Sequence, residues 1–503
     1  MNQYEETSAN VGRAMLPLCN RIITSEVTND YTLPDYQPEI RRVIAINENI
    51  APVAKYVSSD SVELDGNIDY TLLYVGADGA LYSAPLSAEY SVSAPFSACD
   101  ELDRNQAITV IPKVSVENIT ARVTAPRKLT VRARINCHVI AFGNAVFEEI
   151  IEGEATPVSI QRLRSETEYA SASFGVSELV EVNDELDAED SLRVVSADGD
   201  IIINEVSSEA DGASVSGEVA LKLLCFDEDS CEYKTVIRKM PFSEKVDTSR
   251  EERNAQERCA RGLISDITIN VEEGKIVSKV GFFIEAEEVN NLPCSYTSDL
   301  YSTKNHCTCK YDIETIPVAI KGISSSFSQS ERIPLAETGI LEGTEIVDSY
   351  GRANVTGISS EDGKYIISGE SKYLFVCKRE GEISASEIKV PFRYECDGGR
   401  CGEFEREDSD IACQVYNCRC KADGDTLGID SEIALSGIIF DTNEIRRVSR
   451  ASMGEEIVRN GSDVVICYPS VSETVWNVAK KYLVAPADVI GNPETDRYCI
   501  IQM

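Results

Sequence analysis

The most reactive side chains in this sequence are thiols and imidazoles: 17 cysteines and two histidines in 503 residues. Two groups have spacings that suggest a metal, His306 with Cys307 and Cys309, and Cys413 with Cys418 and Cys420. A structural zinc takes four thiolate or imidazole ligands, commonly from Cys-x-x-Cys knuckles. Here each close pair is Cys-x-Cys, and the groups are far apart in the chain, so a shared ion needs them to meet across units. Otherwise they are unligated thiols at unit edges, able to cross-link. His138 follows Cys137 inside an alternating run, which places the two on opposite faces of a strand and disfavours a Cys–His nucleophile pair. The 85 acidic residues make any pair of carboxylates uninformative about glycoside hydrolysis. No Gly-x4-Gly-Lys-Ser/Thr phosphate loop is present. The expectation is a protein that is not an enzyme and carries no resident metal or cofactor.

The elements that must position these residues repeat. Gly66, Gly217 and Gly369 stand 151 and 152 residues apart, each in an alternating run that ends in an apolar cluster. In the second and third copies the next alternating run ends in Pro241-Phe242 and Pro391-Phe392, and in the first in Glu89-Tyr90. Later runs beginning at Lys128, Lys275 and Thr426 repeat at 147 and 151 residues. A period of this size is a domain, since solenoid units run roughly 20 to 50 residues. Alternation, β-branched residues and Asp-Gly or Glu-Gly turns predict a mainly β chain of three β-sandwich-like modules. The expected bounds are 1–157, 158–320 and a more divergent 321–455. Arg250–Arg261 reads as a short charged helix or a solvated connection.

Residues 461–503 break the period. Val464–Tyr468 reads as a strand. Ser472–Tyr482 reads as a helix capped by Ser472 or Thr474, with Val475, Val478, Ala479 and Tyr482 on one apolar face. Ala485–Ile490 suggests a second short helix and Tyr498–Ile501 a closing strand, giving a small βααβ domain. Trp476, the only tryptophan, reads as core together with Ala479 and Tyr482. The loop residues Ser470, Val471, Ser472, Glu473 and Thr474, with Gly491, Asn492 and Pro493 opposite, are the candidates for binding a partner or a glycan.

Net charge is −37, a field that repels phosphate backbones and anionic headgroups, so no nucleic-acid partner is expected. The same charge serves solubility or docking onto a basic partner surface. The beginning of the sequence has no basic or apolar leader and no stretch approaches a bilayer span, so direct membrane insertion is not expected. Cytoplasmic, reduced thiols follow as the default.

The run Ser472–Tyr482 followed by Pro486–Ile490 resembles the LysM signature Gly-Asp-Thr-Leu-Trp-x-Ile-Ala-x-x-Tyr. Ser472-Glu473 stands for Gly-Asp, Leu483 stands where glycine is usual, and the connection to the last strand is short. The three modules resemble SPOCS domains of clostridial sporulation proteins. The second copy carries this most clearly, through Phe174–Val182, Leu192–Val195, Gly217, Leu223–Cys225 and Met240–Ser243, with Asp299–Ser302 near its end. SPOCS modules followed by a LysM domain are similar to the SipL-like family of spore-coat morphogenetic proteins. That resemblance implies a non-enzymatic scaffold in the mother-cell cytoplasm at the forespore surface, in the spore coat. It implies docking of a SpoIVA-like coat ATPase through the LysM-like domain, with other coat proteins or a second copy as further partners. A glycan-binding envelope protein, taking peptidoglycan or chitin-type polymers on the LysM loops, is the alternative.

Overall fold

Strands follow the period-two alternation, because alternate side chains of a pleated strand face opposite sides and the apolar set must be buried. A computed structural model describes residues 6–502, apart from 59, 97–107, 154–158, 190, 210–211, 249–254, 273, 399–404, 407–410, 460 and 462–463. The described residues are mainly strand.

The first repeat contains β1 (Glu6–Thr32), β2 (Ile40–Ile50), β3 (Ala54–Val57), β4 (Ser61–Gly76), β5 (Leu81–Pro95), β6 (Thr109–Ala125) and β7 (Lys128–Glu152). The second contains β8 (Ile160–Val176), β9 (Val180–Asp187), β10 (Leu192–Glu209), β11 (Gly212–Asp227), β12 (Glu232–Val246), β13 (Glu257–Glu272) and β14 (Lys275–Ser302). The third contains β15 (Asn305–Pro334), the single turn α1 (Leu335–Thr338), β16 (Glu345–Glu361), β17 (Lys364–Arg379), β18 (Glu382–Asp397), β19 (Glu405–Arg406), β20 (Ala412–Asp423) and β21 (Thr426–Glu456).

The three repeats share one plan. One sheet is a meander, ordered β2-β4-β5, β10-β11-β12 and β16-β17-β18. The other sets the last strand between the first and the penultimate, as β1-β7-β6, β8-β14-β13 and β15-β21-β20. A separate apolar core lies between the two sheets of each repeat. Leu64, Leu72, Val131 and Ile135 fill the first, Val215, Leu223, Ile276 and Phe282 the second, and Ile367, Phe375, Leu427 and Leu435 the third. The β-sandwich expectation holds.

The strands also show what the spaced glycines do. Gly66, Gly217 and Gly369 pair directly with Tyr90, Phe242 and Phe392 on the next strand. A Cβ built on each glycine would meet that ring at 2.5–3.0 Å for Tyr90, 2.8–3.0 Å for Phe242 and 2.1–2.5 Å for Phe392. The recurrent glycine and the recurrent aromatic are thus one feature: a ring lies across a strand that has no side chain there.

Two local expectations change. Residues 257–261 belong to β13 and not to a helix: Arg258 Nε donates to the Val206 carbonyl at 2.7 Å, and Arg261 reaches Glu285 at 2.5 Å. The earlier part of that segment, 250–254, lies outside the described residues. The strand β15 crosses the bound placed at 320 and pairs with β21 from Asn305 to Pro334.

The repeats meet in a ring. Strand β5 contacts β10, β12 contacts β16, and β18 contacts β2, so each meander's third strand touches the next repeat's first. This cyclic order is a pseudo-threefold arrangement. Leu73, Leu224 and Val376, equivalent by the repeat spacing, pack in one apolar cluster on that axis. Phe142, Val289 and Phe440 pack in a second.

Candidate functional site

The C-terminal domain forms a three-stranded sheet, β22 (Val464–Cys467), β24 (Cys499–Gln502) and β23 (Val489–Ile490), in the order β22-β24-β23. Helix α2 (Val475–Tyr482) covers one face. Its cap is Thr474, whose side chain accepts from the Asn477 amide at 3.3 Å. Its last turn carries Lys480 and Lys481, which suit the negative end of the helix dipole. Leu483 takes the left-handed conformation that ends the helix (φ 53°), a position where glycine is the easy choice. The expected second helix is one 3-10 turn, Pro486–Asp488. It stops there because Val489 and Ile490 leave it to pair with β24.

One side of α2 is already occupied by the repeats. Asp299, at the end of β14, accepts from Trp476 Nε1 at 2.8 Å, from Lys480 Nζ at 2.6 and 2.7 Å, and from the Tyr311 hydroxyl at 2.8 Å. Burial alone would raise the Asp299 pKa, but bonds from Lys480, Trp476 and Tyr311 outweigh it and hold the carboxyl below its usual range. The Tyr301 ring meets Trp476 edge-on at 4.9 Å, and its hydroxyl donates to the Val484 carbonyl at 2.7 Å. Arg459 bridges the Thr303 and Leu483 carbonyls at 3.0 and 2.6 Å. Ala479 is sealed in a core with Val478, Cys467, Cys499 and Ile501. Trp476 and Tyr482 are half-buried at its edge, so Trp476 serves the junction between domain and repeats as much as the domain's own core.

The candidate loop residues divide. Thr474 is spent on the cap, Glu473 Oε2 accepts from the Ser470 amide at 2.7 Å, and Pro493 is buried. Ser470, Val471, Ser472, Gly491 and Asn492 remain exposed. The sequence reading missed the sheet face turned away from α2. There Ile466, Ile500 and Ile490 stand in register across all three strands. Ile466 is 57% exposed and Ile490 50%, flanked by Val464 at 53%, Tyr468 at 69%, Val471 at 98% and Tyr498 at 51%. The Tyr468 and Tyr498 rings lie 6.5 Å apart. The signal was present as the alternation Val464, Ile466, Tyr468, whose outward members are apolar where a solvated strand would carry polar residues.

The metal candidates do not come together. His306 is exposed on the face of β15 opposite Cys307 and Cys309, whose sulfurs lie 3.8 Å apart. Cys413, Cys418 and Cys420 pack on β20 against the third repeat's core, with Cys418 and Cys420 also 3.8 Å apart. Among the described residues no group of three or more His, Cys, Asp or Glu side chains is placed to hold an ion. In each Cys-x-Cys pair the thiol–thiol hydrogen bond lowers the pKa of Cys309 and Cys418 and raises that of Cys307 and Cys420. Cys137 is sealed in the first core, while His138 Nε2 lies 2.6 Å from Asn20 Oδ1. No Cys–His pair exists there.

Where the repeats meet lies a cavity of about 610 Å³, lined by strands of all three, among them β2, β10 and β16. Ala197, Ile201 and Ile203 of β10 belong to the second core, so Asp198 and Asp200 between them face the cavity. Asn47 and Asn49 of β2, and Tyr350 and Arg352 of β16, hold the equivalent positions in the other repeats. Burial, then the neighbouring Asp198, push the Asp200 pKa from its ordinary 3.8 to about 7, against the donated bond from Gln414. Burial is also the main cause of the raised Asp198 pKa. Lys222 loses some basicity to burial, but Asp348 and Asp198 beside it more than restore it.

Asp200 therefore binds a proton in the folded chain that the unfolded chain releases. Its favourable contribution is full below its ordinary 3.8 and is lost as pH rises towards about 7. Asp198, Lys222 and Gln414 face the same group, and none changes in an Asp200→Asn chain. That chain is expected to resist urea better than the parent at pH 8 by on the order of 2 kcal/mol, because Asp200 is only half-buried and solvent screening reduces the full shift. The gain should shrink as pH falls and vanish below pH ~4. Paired urea titrations at several pH values check this, and an equal difference at all pH values refutes it.

Comparison with known proteins gives no likeness: no protein-family model, no curated protein and no solved structure matches the chain.

Proposed function

We propose that this chain is a non-enzymatic scaffold of the spore coat, which docks a SpoIVA-like coat ATPase through its C-terminal domain. The observation that carries the reading is the exposed apolar face of the C-terminal sheet. Its row of isoleucines and its two flanking tyrosines suit a protein partner, since aromatic and aliphatic anchors in a patch that water leaves on binding carry most interface energy. A glycan reader needs polar groups converging on sugar hydroxyls beside aromatic platforms. The loops proposed for that role have spent Thr474 and Glu473 on their own backbone and buried Pro493. The resemblance to SPOCS and LysM sequences supplies the choice of partner, and the surplus of negative charge, −37, favours a partner with a basic surface.

The test is capture of the ATPase by the full chain and by an Ile466→Asp variant. The substitution lies on an exposed strand position and is expected to change stability by less than about 0.5 kcal/mol. Capture should fall at least tenfold, the loss of about 1.4 kcal/mol or more expected of a central anchor. Undiminished capture would reject the docking face. In the same preparation chitin or peptidoglycan fragments should give no saturable binding, and saturation would move the assignment to the glycan reading.

A further inference from the structure

We propose that the axial cavity is a binding site for a small organic cation, a linear diamine or polyamine whose ammonium groups are received by Asp198 and Asp200. The cavity's volume of about 610 Å³ lies within the range of sites that enclose small molecules. Its charges are unequally matched. Lys222 is paired with Asp348 at 3.1 Å, Lys372 with Glu387 at 2.7 Å and Arg261 with Glu285 at 2.5 Å. Arg352 is paired with Glu48 across the boundary between the third and first repeats. Each of these cations is committed to a carboxylate.

Asp198 and Asp200 have only neutral donors within hydrogen-bond reach among the described residues. Asp198 Oδ1 accepts from the Gly199 amide at 3.0 Å, and Asp200 Oδ1 from Gln414 Nε2 at 2.9 Å. The second oxygen of each carboxylate is left for a ligand. Burial and then the neighbouring Asp198 raise the Asp200 pKa, and Lys222, already paired with Asp348, offsets this only in part. Beside it Ile202 packs with Tyr416 and Ala220, an apolar wall suited to methylene groups. Asn47 and Asn49 add uncharged acceptors from the first repeat.

A divalent ion is the poorer fit. Magnesium and calcium require six or more oxygens at about 2.0–2.6 Å, and no group of three or more carboxylate, thiol or imidazole side chains among the described residues is placed for one. An ammonium needs two or three acceptors near 2.8 Å and tolerates their directions. The net charge of −37 further enriches cations around the molecule. The cavity is separate from the docking face, so either assignment stands if the other fails.

The test is calorimetric titration of the full chain with putrescine and with spermidine at ~0.15 M salt. One saturable site per chain is expected, weakened at least tenfold by Asp200→Asn and by Asp198→Asn. Asparagine keeps the shape and an accepting oxygen, and near-ultraviolet circular dichroism reports whether each variant remains folded. A variant that unfolds is set aside, and the other, with the parent, decides. Four results would overturn the proposal: no saturable heat with either amine, equal affinity in parent and folded variant, many weak sites that salt abolishes, or saturable binding of magnesium with neither amine bound.

Discussion

A Gly217→Ala chain is expected to lose about 3 kcal/mol of stability, read as a lowered urea midpoint of the second repeat. The added Cβ would lie 2.1 Å from the Ile202 carbonyl oxygen and 2.8 Å from the Phe242 ring. The first of these is backbone, held in the ladder between β10 and β11, so it cannot turn aside. Gly369→Ala should cost as much, since its Cβ would meet the Asn354 carbonyl at 2.5 Å and the Phe392 ring at 2.1 Å. Gly66→Ala should cost least. The three nearest atoms there all belong to the Tyr90 side chain and none to backbone, with the hydroxyl oxygen nearest at 2.5 Å. Equal losses at all three positions, or none at Gly217, would refute the account.

The second large effect is expected at Asp299. An Asp299→Ala chain leaves the Trp476 indole, the Lys480 ammonium and the Tyr311 hydroxyl without their shared acceptor. The Asp299 side chain is 20% exposed and that of Lys480 40%, so the loss should be about 2–3 kcal/mol, below that of a fully buried pair. Trp476 is the only tryptophan, so its fluorescence reports the junction directly. The emission should shift to the red and become open to acrylamide, while the strand signal of the repeats in circular dichroism stays. Because the folded carboxyl is held below its usual pKa, the contact is complete at neutral pH and is lost only as pH falls below its ordinary 3.8. Unchanged emission in the variant would mean that Asp299 does not hold the domain.

These two sites differ in how far the sequence disclosed them. The glycine period and the Pro-Phe or Glu-Tyr pattern were both visible, but not that each glycine sits under the aromatic of its own copy. That pairing depends on register between neighbouring strands, which alternation alone does not fix. Asp299 was visible only as part of a resemblance, one acid among 85. Its role arises from a helix nearly 180 residues later in the chain, and no local pattern encodes such a distance. The six metal candidates show the reverse. Their types and spacing suggested a site, and strand geometry turned His306 away from Cys307 and kept β15 and β20 thiols in separate places.

By itself the sequence determined the elements: alternation made the strands, their recurrence made three repeats, and the Thr474 cap with its apolar face made the one helix of more than a turn among the described residues. Tertiary structure alone decided what lies between elements. It placed Trp476 on Asp299, aligned Ile466, Ile500 and Ile490 on one outward face, and turned Asp198 and Asp200 towards a shared cavity. The physical reason is range. Propensity and period act over a few residues, whereas a cavity, a charge left without a partner or an uncovered face exists only once distant segments have packed and the accounting of charge and contact is complete.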